Sequence, residues 1–203
     1  METIAASLTT QPAHRADASD DRHEDRLFAI LTLAFATDPV CRWLFPDPAR
    51  YLRHFPAVAR AFGGAALHAG SALSNDTGAA LWLPPGVEPD EEMLIGTIER
   101  GVAESERAGA FALFEAMATY HPHEPHWYLP MIGVEPASQG QGHGETLMKP
   151  VLAECDASGL PAYLEATSSR SSRLYARLGF EAVGVIQVNN CPPLIPMLRR
   201  PRG

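Results

Sequence analysis

Between residues 24 and 36 the apolar residues Leu27, Ile30, Leu31, Leu33 and Ala34 recur at helical spacing. Asp20 or Asp21 can cap this helix, and Asp38-Pro39 is expected to stop it. A second helix is predicted over residues 48–62, closed by Gly63-Gly64. Shorter apolar runs at 66–69 and 79–83 read as strands. Asn75-Asp76-Thr77-Gly78 between them is turn chemistry, so the pair is expected as a hairpin. Helical spacing returns over 90–108 and 110–119. The strongest strand signal is 126–134, His-Trp-Tyr-Leu-Pro-Met-Ile-Gly-Val. Pro130 cannot donate to a ladder, so pairing should stop or bulge there. A helix over 142–157 places Leu147, Met148, Val151, Leu152 and Cys155 on one face, with Pro150 removing one ladder bond. A strand at 162–166, a helix at 171–178 stopped by Gly179, and strands near 180–188 and 194–199 complete the pattern. At the N-terminus, a short strand is expected near residues 4–8 and a loop over 11–21. This interleaving predicts an α/β sheet with helices on its faces.

Length and charge narrow the class. The chain has 203 residues, which suits a single domain over 23–203, with 1–22 a flexible arm or weak first strand. It carries 16 Lys and Arg against 24 Asp and Glu, a net charge of −8 with no basic stripe. That argues against nucleic acid or an anionic membrane as partner. Cys41, Cys155 and Cys191 form no disulfide framework and fit a reducing compartment. With no signal-peptide pattern, the cytoplasm is the expected location. His121, His123 and His126 have a superficially zinc-like spacing. Pro122 and Pro125 break any helix that would align them, so no metal is expected.

The densest chemistry is the turn Gln139-Gly140-Gln141-Gly142-His143-Gly144 at the start of a helix. Glycines let backbone approach a ligand, and the first N–H groups of a helix lack internal partners, which together suit a phosphate. A Walker loop needs Lys-Ser/Thr after the last glycine, but Glu145-Thr146 follows. A dinucleotide fingerprint needs a third glycine where Glu145 stands. From its residues alone the turn is either an anion site or a plain strand-to-helix connection. Tyr175 likewise reads by periodicity as a core aromatic.

Two blocks resemble the GNAT N-acetyltransferase superfamily. One is Gln139-x-x-Gly142-x-Gly144 preceded by Ile132-Gly133-Val134-Glu135-Pro136. The other is Tyr163-Leu164-Glu165-Ala166 followed by Leu174-Tyr175-Ala176-Arg177-Leu178-Gly179-Phe180-Glu181. The segments Glu124–Pro136 and Gly159–Ala166 are similar to the puromycin N-acetyltransferase branch. Similarity is best over about residues 121–183, the acetyl-CoA half. The resemblance implies a mixed, mostly antiparallel sheet of six to seven strands, splayed between strands 4 and 5. It implies acetyl-CoA as cosubstrate, bound by Ile132, Gly133 and Val134, by Gln139, Gly140, Gln141, Gly142, His143 and Gly144, and by Ser171. Ser171 stands where the family often has asparagine. It also implies direct attack by an amine, a backbone N–H near Val134 facing the oxyanion, and Tyr175 as general acid. Glu165 is the first candidate base and Glu124 the second. A small-molecule amine, antibiotic-like or aminonucleoside-like, is the expected acceptor, and the protein a monomer or homodimer. A protein lysine or N-terminus, or acyl-CoA binding without catalysis, are the alternatives. His126, Trp43, Phe45, Trp127 and Tyr128 are candidates for the acceptor pocket, with the core as their other fate.

Overall fold

A computed structural model describes residues 11–16 and 21–202. The expected strand near residues 4–8 lies outside the described residues. Seven strands form one sheet: β1 (His14–Arg15), β2 (Ala72–Ser74), β3 (Gly78–Leu83), β4 (Trp127–Val134), β5 (Ala162–Ala166), β6 (Glu181–Ala182) and β7 (Ile195–Arg199). Their order is β1-β2-β3-β4-β5-β7-β6. Every neighbouring pair is antiparallel except β4–β5, which is parallel. The α/β sheet is the one the pattern predicts, and its mixed, mostly antiparallel order is the one the resemblance implies.

Helices cover both faces. On one, α1 (Asp21–Ala34), α3 (Pro48–Gly63) and α5 (Glu91–Gly101) bring Leu31, Tyr51, Phe55 and Ile98 against Leu81, Leu83, Tyr128 and Met131. On the other, α7 (His143–Ser158) lays Leu147, Met148, Val151, Leu152 and Cys155 on Trp82, Leu129 and Leu164. These five are the stripe that periodicity picks out, and all are buried. α8 (Ser169–Arg177) packs on this second face through Tyr175, with Phe180 just beyond its end in the same cluster. α6 (Glu104–Tyr120) buries Leu113 with Ile186 and Leu194 in a smaller third cluster.

Several boundaries differ from the sequence reading. Asp38-Pro39 ends α1 but also starts α2 (Pro39–Leu44), because the Asp38 carboxylate caps the N–H groups of Val40 and Cys41 and proline suits the first helical position. Residues 66–69 are not a strand. Gly64 is helical at φ −59°, so a short α4 (Ala65–His68) follows, and the hairpin's first strand begins at Ala72, after Gly70 at φ 64°. The split between α5 and α6 falls at Val102-Ala103, and Gly109 sits inside α6 facing Trp43. The expected loop over 11–21 contains β1, which pairs with β2. The strand expected over 180–188 shrinks to β6 plus the single bridge Ile186–Leu194.

One ion pair ties the C-terminal strand to α7. Arg199 is 3% exposed and meets Asp156 bidentately at 2.8 and 2.7 Å, while its Nε donates to Leu178 O. Asp156→Asn leaves a buried guanidinium short of charge and is expected to cost roughly 1.5–3 kcal/mol, read by urea denaturation. The Arg199 side holds the Asp156 carboxyl below its usual range. The stability this pair confers is therefore present at neutral pH and is lost as pH falls through that lowered value.

Candidate active site

β4 and β5 pair only at Trp127–Ala162 and Tyr128–Tyr163. Beyond that point they part, and a bulge in β4 lies at the opening. Leu83 faces Tyr128 while Leu81 faces Met131, so Leu129 and Pro130 together oppose Trp82. The extra residue puts Met131 on the face of Tyr128, opposite Leu129, whose face simple alternation would give it. Glu135 N bonds Thr77 O at 2.8 Å. Counting back along the ladder, Gly133 and Met131 turn their peptide groups to β3, and Ile132 and Val134 turn theirs into the gap. Gln139 Nε2 donates to Val134 O at 3.1 Å and so holds the glycine turn against the strand end. Gly133 does a second job: a Cβ there would lie 2.6 Å from the Ala34 Cβ, so glycine lets α1 close on the strand.

A cavity of about 620 Å³ runs through this gap. Of the predicted cofactor residues, Ile132, Gly133, Val134, Gln139, Gly140, Gly142, His143, Gly144 and Ser171 line it. Gln141 does not; its side chain points along the turn and donates to Ala137 O at 3.3 Å. Gly140 at φ 82° and Gly142 at φ 91° are in conformations that side chains disfavour. Gly142 caps α7 without any side chain, and the first helical bond is Thr146 N to Gly142 O. The N–H groups ahead of Thr146 therefore have no partner within the helix and carry its positive end, which suits a phosphate. His143 is buried with Nδ1 3.4 Å from Asn75 Nδ2, fixing the turn to the β2–β3 hairpin. The Ser171 hydroxyl is engaged in a capping box with Ser168 rather than free for a ligand. Sequence reading missed Arg170, Arg173 and Arg177, which line the cavity from α8. Their i, i+3, i+7 spacing is the signal that could have found them. No carboxylate forms an ion pair with them among the described residues.

The same cavity holds Glu165 and Tyr175. Glu165 lines the cavity; its Oε2 accepts from Tyr128 Oη at 3.0 Å, and the Tyr163 hydroxyl also faces its carboxyl. Burial raises that carboxyl to about 7, against the Tyr128 and Tyr163 hydroxyls, which lower it. Tyr175 is 7% exposed and packs on Phe180. Burial, then the Asp38 carboxylate, pushes its hydroxyl up, so it stays a proton donor. A carboxyl near 7 and a hydroxyl that keeps its proton, lining one cavity, are a pair that acid–base chemistry can use.

The other candidates are elsewhere. Glu124 pairs with Arg200 and lines a separate cavity of about 410 Å³, with His121, His123 and His126. There His126 Nε2 lies 2.9 Å from His121 Nε2. Burial, then His126, holds the His121 ring down at about 4. Phe45 and Trp127 belong to the core, Tyr128 supports Glu165, and Trp43 donates to Asn190 at 3.0 Å; none lines the larger cavity. Sequence alone leaves such aromatic residues open between core and pocket, because the choice depends on neighbours distant in the chain. Cys155 is buried, its thiol pushed up to about 12 by burial, and is unreactive.

A family model described as the acetyltransferase (GNAT) domain matches residues 103–200, from α6 to β7. An uncharacterised N-acetyltransferase of Schizosaccharomyces pombe is 26% identical over 212 aligned residues, covering 93% of this chain and 83% of that one. Among solved structures, a Corynebacterium glutamicum protein of the histone acetyltransferase HPA2 and related acetyltransferase type aligns with a TM-score of 0.68. Its identity is 23%, over 96% of this chain and 98% of that one. The Drosophila melanogaster polyamine N-acetyltransferase, which catalyses formation of N-acetylagmatine, aligns with a TM-score of 0.61 at 15% identity, over 93% and 98%. Domain match, relative and fold agree on an acyltransferase with the GNAT fold, residues 103–200 being similar to the acetyltransferase (GNAT) domain.

Proposed function

We propose that the protein transfers the acetyl group of acetyl-CoA to the primary amine of a small molecule, with Glu165 as base and Tyr175 as acid. The observation that carries this is one cavity through the β4–β5 gap with the unpaired N–H groups of α7 beside Glu165 and Tyr175. The glycine turn suits the pyrophosphate, and the peptide groups of Ile132 and Val134 suit the pantetheine arm, which adds to the strand edge. Arg170, Arg173 and Arg177 add positive charge for the remaining phosphate. The amine side is built by Ala34, Phe35, Thr37, Asp38 and Pro39 and by Glu165 and Thr167. Similarity of the segments around β4 and β5 to the puromycin N-acetyltransferase branch favours an antibiotic-like or aminonucleoside-like amine. The Drosophila neighbour's small cationic product favours the same size class.

The protons balance as follows. An alkyl ammonium gives one proton to the Glu165 carboxylate, and its freed nitrogen attacks the thioester carbonyl. A carbon–nitrogen bond forms, and the carbonyl oxygen, now negative, faces the Val134 N–H. When the carbon–sulfur bond breaks, Tyr175 protonates the departing thiolate. The second proton of the former ammonium restores Tyr175, and Glu165 returns its proton to solvent. The products are an amide, a free thiol and one proton.

The test is thiol release from acetyl-CoA with an amine panel that includes puromycin, agmatine and 2-phenylethylamine. Tyr175→Phe is expected to lower kcat about 100-fold while the thermal shift given by acetyl-CoA is retained. Unchanged kcat removes Tyr175 from the acid role.

A further inference from the structure

The three arginines and the glycine turn give the cofactor side of the cavity positive charge and free donors. Besides Glu165 and Glu145, the cavity holds a third carboxylate, Asp38, which the mechanism above does not use. Glu145 is neutralised by Lys149 at 2.7 Å. No Lys, Arg or His forms an ion pair with Asp38 among the described residues. Asp38 is held rigidly from two sides. Its Oδ1 accepts from the N–H groups of Val40 and Cys41 at 3.0 Å each, and its Oδ2 accepts from the Thr167 hydroxyl at the end of β5. It thus joins the two walls of the cavity, the α1–α2 junction and the strand that carries Glu165. Its charge is also felt at Tyr175.

We infer that Asp38 is the specificity determinant of the acceptor site, holding a fixed negative charge that selects small amines arriving as alkyl ammonium cations over neutral aromatic amines. The inference rests on the acetyl-transfer reading above. The two carboxylates divide the work. Glu165 exchanges a proton with the amine. Asp38, pinned by three hydrogen bonds, attracts and orients the ammonium before that exchange and gains most from a partner that is charged.

The test compares two isomers, 2-phenylethylamine and 4-ethylaniline. They share every heavy-atom count, but the first is a cation at pH 7.5 and the second is neutral. In wild type the alkylamine is expected to be the better substrate by kcat/KM. Asp38→Asn keeps the cap, since asparagine caps helices as well as aspartate, and removes only the charge. It is expected to raise KM for 2-phenylethylamine roughly 10- to 100-fold, with KM for acetyl-CoA and the melting temperature unchanged. Thr167→Val, which keeps the charge and loses the hydroxyl, should retain the preference. A purely structural Asp38 would lower activity on both amines alike and lower the melting temperature. That result, an unchanged ratio in Asp38→Asn, or a wild type that prefers the neutral isomer overturns the inference. Absence of thiol release with every amine of the panel instead overturns the acetyl-transfer reading itself.

Discussion

Glu165→Gln is expected to lower kcat/KM by about 10²–10⁴-fold, the usual contribution of a positioned general base. The wild-type rate should climb with pH and level off above about 7, where the Glu165 carboxyl loses its proton; the variant should lack that limb. Stability gives an independent readout with a sign. The carboxyl sits at about 7 in the folded protein against an ordinary 4.5, so the unfolded chain releases the proton first. Folding stability should therefore be full below about 4.5 and decline as pH rises toward 7. Glutamine, which never ionises, should raise the melting temperature at pH 8 and leave it nearly unchanged at pH 4. Activity lost without any change in the pH profile would reassign Glu165 to a structural role. On the proposed mechanism the stability cost falls at the base, because burial that brings the carboxyl near 7 also penalises its charged form.

Gly142→Glu is expected to raise KM for acetyl-CoA by at least about 100-fold, since loss of one or two charge-assisted hydrogen bonds has that effect. Two causes act together. Gly142 holds φ 91°, where a side chain is strained. The new carboxylate would also stand at the positive end of α7, where the phosphates are expected. Gly142→Ala separates the two: it carries the strain without the charge and should show a smaller rise. The thermal shift produced by acetyl-CoA should vanish in the glutamate variant. A retained shift would remove the turn from cofactor binding.

The glycine turn was legible because its chemistry is local. Three glycines at a strand-to-helix junction need no distant residue to leave backbone N–H groups free. The apolar stripe of α7 was legible for the same reason, since 3.6-residue periodicity is a property of consecutive positions. Asp38 was half legible. Its helix-stopping role follows from the proline beside it, but the second helix it starts and the carboxylate it offers to the cavity depend on Thr167, 129 positions away. Residues 66–69 misled because alanine and leucine suit a short helix or a buried strand equally, and the neighbouring Gly64 decided between them.

By itself, then, the sequence determined the main succession of helices and strands, the α/β class, the glycine turn and the helix carrying Tyr175. Each is set by contacts within a few positions. Only the tertiary structure decided that β4 and β5 part after two residue pairs, that Glu165 is buried enough to reach about 7, and that Glu124, His126 and the aromatic candidates stand apart from Tyr175. Desolvation and cavity walls are sums over neighbours distant in the chain, so no local pattern records them.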